Sequence, residues 1–491
     1  MRKYLAALMA VAGVSVAVIE LSCGSSPTRQ VQQQTVPTGS LTILGSDAPL
    51  CAVLSLNVTI TGATLTPEGG GSPVSVISSS QPLTVDFASL MDFATVLSFS
   101  QVAAGDYSQI TLTLSNPQLM VLDTTKSPPA PASIPATLTN STVTVNIEPD
   151  LDVETNGSAS LTLDFNLLKS VQTDSNGQVT GTLSPVFRAK SKKSTGDENE
   201  DELDDLKGTV QSVTTTSSNS AFIGSFVLAR GQNTLTINIT SNTKFDDISG
   251  LSALAANTFV EVDARLDSNG NIVAKQVSAE DADDQNSGRV TLVGLATSVN
   301  RDSTGHVTQF KMFVVETHPE DNRLFPEHAP ATVNITGATV FNIANPTVNQ
   351  ASLTFDTTTL GLGQAVAVHG DTVQSSPGTL TANSIFLRKR SIVGNFSALL
   401  AAGSDDLTGG FTMVPCSPIF QAQPTTVLTS SQTEFRGVSG LKELSPTPLV
   451  VVKGLVFYQQ TSGAANGASW NAPAFVDEAQ RAHQRTIDHD D

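Results

Sequence analysis

Apolar and polar residues alternate with a period of two along much of the chain. The alternation is clearest in Leu54–Ile60, Ile110–Leu114 and Leu161–Phe165. Successive side chains of a β-strand point to opposite faces of its sheet, so each segment predicts a strand with one buried face. Such segments recur throughout residues 39–190, which favours an antiparallel β-sandwich. One segment, Leu90–Phe99, departs from the alternation and predicts a short helix.

A short pattern recurs three times after residue 207. Each copy contains a Thr-x-Phe marker, and successive markers lie 96 and 94 residues apart. A Val-x-Val strand follows each marker, and the longer interval in the second copy indicates an insertion there. These segments are Thr243–Phe245 with Val260–Val262, Thr339–Phe341 with Val366–Val368, and Thr433–Phe435 with Val450–Val452. The pattern predicts three small antiparallel barrels of about five or six strands each.

The predicted fold class is therefore all-β, with an N-terminal antiparallel β-sandwich followed by three small barrel-like β repeats. The sandwich covers residues 39–190. Residues 191–207 form a charged linker, because like charges packed this closely repel and remain solvated. A calcium-binding strip in the same run is the alternative. The other boundaries are 208–281 for repeat 1, 288–390 for repeat 2 with its insertion, 391–476 for repeat 3, and 477–491 for a polar tail.

The N-terminal residues have the pattern of an export signal. Arg2 and Lys3 precede Tyr4–Ile19, an uncharged apolar run that is short for a membrane span. Residues 1–22 are therefore predicted to be a signal peptide. The protein is expected to be exported and to face the periplasm or the outer membrane rather than the cytoplasm.

A lipid-attachment site follows the signal. Leu21–Gly24 resembles a bacterial lipoprotein cleavage box, in which the thiol of Cys23 takes the lipid. Residues 23–38, rich in Ser, Gln, Pro and Thr, then form a flexible tether. Glu20 stands where such a box normally has an apolar residue. An ordinary signal peptide that leaves Cys23 as a thiol is therefore the alternative.

The composition narrows the range of partners. An apolar fraction of 39% is ample for folded domains, and a net charge of −19 opposes binding to nucleic acid, which needs clustered basic residues. The sequence also contains two cysteines besides Cys23, namely Cys51 and Cys416. They fall in different predicted domains, so the sequence favours buried free thiols, with a disulfide between them as the alternative.

Metal chemistry is only weakly indicated. Three Asp-x-x-Gly segments resemble the start of a calcium loop, but none has the closing glutamate, so they predict hairpin turns. They are Asp174–Gly177, Asp267–Gly270 and Asp302–Gly305. The six histidines lack a compact ligand spacing. The alternative is a weak site at His318 and His328 with Glu316, Glu320 and Asp321; the other histidines are His306, His369, His483 and His489.

No catalytic motif stands out. The sequence has no nucleophile elbow, zinc-protease motif or phosphate-binding loop. A triad assembled from distant residues stays open, because triads are not local in sequence. Aromatic residues are scarce, and a stacking platform on the one tryptophan, Trp470, has no supporting residues. No catalytic residue, metal ligand or cofactor is assigned.

Residues of the first block resemble a known family. Asp47–Pro49, Ala104–Ile110, Leu163–Phe165 and Leu183–Arg188 occur in the order found in domain-of-unknown-function family 4382. The resemblance spans most of the block and implies a β-rich fold in a lipoprotein. It brings no known chemistry, so it supplies no functional residues.

The first repeat resembles a second family. Gly208–Val213, Thr243–Phe245, Val260–Val262 and Ala274–Val277 are similar to domain-of-unknown-function family 5666. That resemblance implies a barrel shaped like the oligonucleotide/oligosaccharide-binding fold. A fold of this kind does not identify a ligand.

The sequence thus predicts a lipid-anchored cell-envelope protein with a non-enzymatic structural or interaction role. Its expected partners are the membrane, through a lipid on Cys23, and an envelope protein or glycan. One alternative is a glycan-binding or small-ligand-binding module on the barrel repeats. Another is a hydrolase whose site is assembled in space.

Overall fold

The computed structural model describes residues 37–484 apart from a set of gaps. The predicted signal peptide, Cys23, Trp470 and His489 lie outside the described residues. The gaps are 49–50, 91–94, 127–128, 156, 176–177, 194–201, 217–220, 231–232, 247, 268–270, 280–289, 319–321, 344–353, 374–375, 421–422, 432, 437, 447–448 and 459–473. Within the described part, no helix is long and apolar enough to cross a membrane.

Strands dominate the first module, which runs from residue 38 to residue 193. A 3-10 turn covers Phe87–Leu90, and one helical turn, α1, covers Leu167–Ser170. The strands are β1 (Thr38–Ala48), β2 (Val53–Pro67), β3 (Val74–Ile77), β4 (Leu83–Asp86), β5 (Thr95–Ala103), β6 (Gly105–Asp123), β7 (Ala130–Ile134), β8 (Thr137–Leu138), β9 (Thr142–Val153), β10 (Ser158–Asn166), β11 (Val171–Thr173), β12 (Val179–Leu183) and β13 (Phe187–Lys193).

Ten of the described strands form one sheet that folds over a single core. Its order is β3-β2-β6-β9-β13-β10-β1-β5, with β4 on β2 and β7 on β6, while β11-β12-β8 form a small second sheet. The two halves of the large sheet meet at the pair Ala189–Ile147 between β13 and β9. Phe87, Phe165 and Phe187 pack ring against ring in the core. The period-two alternation thus places one face of each strand in this core.

The repeats follow as three barrels. Repeat 1 contains β14 (Glu202–Thr215), β15 (Gly224–Arg230), β16 (Asn233–Ile239), β17 (Lys244–Asp246), β18 (Phe259–Leu266) and β19 (Ile272–Ala279). Repeat 2 contains β20 (Val290–Arg301), β21 (Val307–His318), β22 (Pro330–Asn334), β23 (Val340–Ile343), β24 (Ala365–Thr372) and β25 (Thr379–Ala402). Repeat 3 adds β26 (Gly409–Pro415), β27 (Thr425–Thr429), β28 (Glu434–Arg436), β29 (Val450–Tyr458) and β30 (Ala474–Gln484). Short 3-10 turns cover Leu251–Ala253, Pro418–Phe420 and Leu441–Glu443.

All three repeats have the same strand connectivity. In barrel 1, the described strands close a ring in the order β14-β15-β16-β19-β18, in which β16 and β19 are parallel. Barrel 2 repeats this order with β20-β21-β22-β25-β24, and barrel 3 with β25-β26-β27-β30-β29. An order of 1-2-3-5-4 with a parallel 3–5 pair is the topology of the oligonucleotide/oligosaccharide-binding barrel. Strand β25 closes barrel 2 and opens barrel 3.

The threonine of each marker closes a turn. Its Oγ1 accepts a hydrogen bond from the backbone amide three residues earlier, at 3.1 Å in Thr243, 3.0 Å in Thr339 and 2.9 Å in Thr433. In the first two barrels it also donates to the last strand, at 2.8 Å to the Ala274 carbonyl and 2.7 Å to the Ala382 carbonyl. The phenylalanine then enters a short strand parallel to the last strand of the same barrel. The marker is therefore a structural joint and accounts for the repeat.

A glycine in the first strand of each barrel permits a close approach of two backbones. A Cβ on Gly208, Gly294 or Gly394 would overlap a carbonyl oxygen of the second strand. The carbonyls belong to Ala229, Phe313 and Val414 respectively. Because a small ring of strands must bend sharply, glycine is the residue that fits these positions.

The first module packs against the barrels. Leu44 belongs to the core cluster of barrel 1. Leu122 belongs to that of barrel 3, and Leu54 packs against the same cluster. The modules therefore form contacts across the chain in addition to their order along it.

The structure corrects the expectation of free thiols. Cys51 and Cys416 form a disulfide, with their Cα atoms 5.5 Å apart and 365 residues between them in sequence. The sequence favoured buried thiols because the two residues fall in different predicted domains. Docking of barrel 3 on the first module removes that separation.

Three further segments differ from the sequence-based expectations. Thr95–Phe99 of the predicted helix belongs to strand β5. Residues 202–207 of the predicted linker begin β14, where Leu203 and Leu206 are buried in the barrel 1 core. Residues 477–484 of the predicted tail belong to β30, which pairs with β29. In each case pairing with a neighbouring strand, and for β14 also two buried leucines, outweighs the local composition.

Candidate functional site

A serine, a histidine and an aspartate meet where the first module contacts barrel 2. Ser55 lies on β2 at a register shift, and Asp86 ends β4. The Asp86 carboxylate accepts backbone hydrogen bonds from Leu56 at 2.8 Å and Ala88 at 3.1 Å, which hold it in place. His328 lies in the loop between β21 and β22.

The backbone of that loop presents His328 to the first module. His328 has a left-handed φ of 58°, which is uncommon for a residue with a Cβ. Its amide donates to the Val314 carbonyl at 2.8 Å. Its Nδ1 lies 3.1 Å from Ser55 Oγ and 3.4 Å from Asp86 Oδ2. Asn57 donates a further hydrogen bond to Ser55 Oγ at 3.0 Å.

The geometry of these three residues is that of an interdomain contact. A catalytic triad needs the carboxylate on one ring nitrogen and the hydroxyl on the other. Here Ser55 and Asp86 both lie at Nδ1 of His328, and Ser55 is completely buried. The hydroxyl is therefore neither exposed to a substrate nor aligned for attack. What the cluster does is join β2 and β4 to a loop 273 residues away in sequence.

The two histidines of the alternative metal site have different partners. His318 ends β21, opposite Thr291, whereas His328 faces Asp86 of the first module. Glu320 and Asp321 lie outside the described residues. Among the described residues, no group of three histidine, cysteine or acidic side chains could hold a metal ion.

Two other histidines make structural contacts. His306 Nδ1 lies 2.7 Å from Thr357 Oγ1, and His369 Nδ1 lies 3.1 Å from Thr291 Oγ1. The buried ring of His369 also meets Phe386 edge to face. The side chain of His483 on β30 lies outside the described residues.

The three aspartate segments each connect two antiparallel strands, and residues 176–177 and 268–270 of two of them lie outside the described residues. The carboxylate of the first residue accepts the backbone amide four residues later, at 2.9 Å for Asp174, 2.8 Å for Asp267 and 3.0 Å for Asp302. Hydrogen bonds from Thr304 hold the pKa of the Asp302 carboxyl below its usual range, and a hydrogen bond from the His306 amide adds to this effect. The carboxylates thus satisfy backbone donors, as turn aspartates do.

A buried polar joint connects barrels 2 and 3. Gln364 is completely buried; its Nε2 donates to the Val456 carbonyl of β29 at 2.8 Å, and its Oε1 accepts the Gly361 amide at 2.7 Å. The hydroxyl of Tyr458 donates to the Leu362 carbonyl. Burial raises the pKa of Tyr458, although the nearby Arg390 lowers it. These contacts attach the loop before β24 to the fourth strand of barrel 3.

Arg390 completes the joint from the shared strand β25. Its Nη1 donates to the Gly363 carbonyl at 2.6 Å, and its guanidinium lies 5.5 Å from the centre of the Phe420 ring. Burial lowers the pKa of Arg390 to about 10, while Tyr458 acts in the opposite direction. The guanidinium remains charged at neutral pH and is held by a carbonyl and a ring.

The insertion of repeat 2 is organised by a second arginine. Arg301, at the end of β20, donates to the carbonyls of Gly305, Thr357, Thr358 and Leu360. Burial lowers its pKa to about 10, and Asp356 opposes this. Burial raises the pKa of Asp356, but hydrogen bonds from Thr358 and Thr359 outweigh it and leave the pKa below its ordinary value. Sequence analysis missed both arginines, since their partners are backbone carbonyls.

Three leucines of barrel 3 are exposed. Leu399 and Leu400 on β25 and Leu428 on β27 are 41%, 55% and 39% exposed. Leu428 lies beside Gly410 of the strand between them, where a Cβ would be 3.2 Å from its Cδ2. We name these three residues the leucine patch. Strands 2 and 3 of such barrels commonly bind ligands.

Two family models match parts of the chain. Residues 38–185 match the model described as Domain of unknown function (DUF4382), and residues 207–278 match Domain of unknown function (DUF5666). Barrels 2 and 3 lie beyond the matched residues but share the connectivity of barrel 1.

Other comparisons add little. Comparison with curated proteins gives no match. A solved structure described as drosophila Unr CSD456 is 12% identical, with 57% of this chain and 97% of that chain covered and a TM-score of 0.14. At that TM-score the likeness supports no argument about fold or ligand. The two family matches occur in the order that the sequence predicted, with the DUF4382 match followed by the DUF5666 match.

Proposed function

We propose that this is a lipid-anchored protein of the cell envelope with a non-enzymatic structural or interaction role. The observation that carries the proposal is the docking of β modules on one another, with a disulfide between the first module and barrel 3. Disulfides persist mainly in oxidising compartments, which agrees with an export signal at residues 1–22. A lipid on Cys23, followed by the tether, holds the modules at a membrane surface.

The absence of chemistry at the serine–histidine–aspartate cluster supports the non-enzymatic part. Ser55 is buried, and its contact with His328, like that of Asp86 with His328, joins the first module to barrel 2. The polar groups of the cluster form hydrogen bonds with one another, as buried polar groups generally do. A binding or scaffolding role needs only the stable outer surface that results.

The deciding experiment is an intact mass of the mature protein from membrane and soluble fractions. We expect a chain that begins at Cys23, carries a lipid-sized mass increment and partitions with membranes. The variant Cys23→Ala should lose the increment and become soluble, whereas the matched control Ser22→Ala should keep both. An unmodified soluble wild-type chain refutes the anchor, and turnover of envelope polysaccharide or peptide refutes the non-enzymatic role.

The leucine patch favours a second candidate, binding of a glycan or small ligand by barrel 3. The exposed leucines of barrel 3 offer apolar contact area for the ring of a sugar or a similar molecule. Glycan arrays and thermal shifts with the bound sugars test it, with Leu428→Ser as the disrupting change and Leu168→Ser, on α1 of the first module, as the control. Blank arrays together with unchanged melting temperatures remove this candidate.

A further inference from the structure

We propose that the Cys51–Cys416 disulfide is a latch that closes after the modules have folded and then holds barrel 3 against the first module. The two cysteines lie 365 residues apart in sequence, yet their Cα atoms are 5.5 Å apart. Barrels 1 and 2 and the first strands of barrel 3 lie between them along the chain. The bond therefore joins the first folded module to the last one.

Each cysteine is held by its own module. Cys51 precedes β2, and the next residue, Ala52, accepts the Leu122 amide at 2.9 Å within the first module. Cys416 follows β26, and its amide donates to the Val393 carbonyl of β25 at 2.9 Å within barrel 3. Each cysteine is thus next to, or part of, a backbone hydrogen bond within its own module. Folding and docking of the two modules bring the thiols together, and the bond then forms between the docked modules.

Among the described residues, apolar packing contributes to this junction. Leu122 lies in the core cluster of barrel 3, and Leu54 packs against it. A polar bridge from the same strand, Ser55 to His328, goes to barrel 2. Apolar contacts of two leucines hold surfaces together only weakly. A covalent link raises the effective concentration of the two surfaces and keeps them docked.

Closure is an ordinary thiol–disulfide exchange with an external disulfide. One cysteine thiolate attacks a sulfur of the oxidant, which is a disulfide oxidoreductase or oxidised glutathione, and expels the first thiolate of the oxidant. The second cysteine thiolate attacks the resulting mixed disulfide and expels the other. The protein loses two electrons and two protons, and the oxidant is reduced to two thiols. The latch rests on the proposed export for this oxidant in the cell.

The first test counts thiols in the full chain isolated without reductant. After denaturation, maleimide labelling should add two labels more to the reduced chain than to the unreduced one. Both single variants, Cys51→Ser and Cys416→Ser, should abolish this difference, whereas Cys23→Ala should preserve it. Equal labelling of the wild-type chain before and after reduction, even after incubation with oxidised glutathione, overturns the proposal.

The second test asks whether the bond holds the docked state. Hydrogen exchange by mass spectrometry compares the wild type with the double variant Cys51→Ser/Cys416→Ser. Peptides that cover residues 51–56, 118–123 and 416–420 should exchange at least about tenfold faster without the bond. Peptides from β15 and β16 of barrel 1 should be unchanged, which shows that the variant folds. Wild-type chain reduced under native conditions should match the variant.

The outcomes separate the latch from the proposed function. Unchanged exchange at the junction, with barrel 1 still protected, overturns the latch whatever the location of the protein. A chain that stays in the cytoplasm but closes the bond with oxidised glutathione in vitro refutes export and supports the latch. A lipidated chain with two free thiols does the reverse.

Discussion

The marker threonine of barrel 2 offers a quantitative test of the repeat. Thr339→Val keeps the branched shape of the side chain and removes its hydroxyl. Two hydrogen bonds are lost, one accepted from the Thr336 amide at 3.0 Å and one donated to the Ala382 carbonyl at 2.7 Å. At about 0.5–1.5 kcal/mol for each bond, barrel 2 should lose about 1–3 kcal/mol of local stability.

Hydrogen exchange resolved by peptide measures this loss in one barrel of a multi-module chain. Peptides from β23 and the first half of β25 should exchange about 5- to 150-fold faster, which is the same free energy expressed as a ratio of opening constants. Thr243→Val should have the same effect on barrel 1, because its two bonds are equivalent. Thr234→Val, at an exposed position of β16, is the matched control. If Thr339→Val and Thr234→Val change exchange equally little, the marker is not a structural joint.

Three further changes probe the barrels. Gly294→Ala should destabilise barrel 2 by about 1–3 kcal/mol, because the new methyl group overlaps a carbonyl of the next strand. Urea unfolding measures this loss, and an unchanged unfolding midpoint would show that the strands move apart without cost. Arg390→Met should loosen the joint between barrels 2 and 3 by about 1–3 kcal/mol, because Gly363 loses its donor; the exposed Arg323→Met is the control, and equal effects would contradict the assignment. Hydrogen bonds hold the pKa of Asp356 below its unfolded value of about 3.9, so its stabilisation is complete above that pH and is lost as pH falls through the lower, folded pKa. The melting temperature should therefore fall less steeply between pH 6 and pH 2 in Asp356→Asn than in the wild type. Parallel curves of melting temperature against pH would exclude a contribution from this carboxylate.

The repeating patterns of the sequence predicted the modules well. Alternation in segments such as Leu54–Ile60 identifies strands because one face of each is buried. The Thr-x-Phe marker identified the repeats because its hydroxyl closes the same turn in every barrel. Local chemistry was enough in these cases, since the partners of the marker's turn lie three residues away.

Features that depend on docking between modules could not be predicted. The Cys51–Cys416 bond and the contact of His328 with Ser55 join residues hundreds of positions apart, with no shared local pattern. Nor did composition indicate β14, where charged residues alternate with Leu203 and Leu206 in a buried strand. The candidate site was missed for the same reason: the sequence named His328 only as an alternative metal ligand, and only the packing of two modules brings it to Ser55 and Asp86.

The shared strand β25 constrains how this protein can change over evolutionary time. Leu380, Ala382, Ile385 and Leu387 point into barrel 2, while Ile392 points into barrel 3 from the same continuous strand. A register shift near Ala382 interrupts the alternation of faces, but from Ile385 to Ile392 successive side chains point to opposite faces. Deleting one residue between Leu387 and Ile392 therefore turns the apolar set of one barrel to the outside. Domain shuffling separates modules at flexible connections, and the continuous strand β25 leaves no such connection between barrels 2 and 3. Barrels 2 and 3 are expected to be inherited, gained or lost as one unit of fixed length.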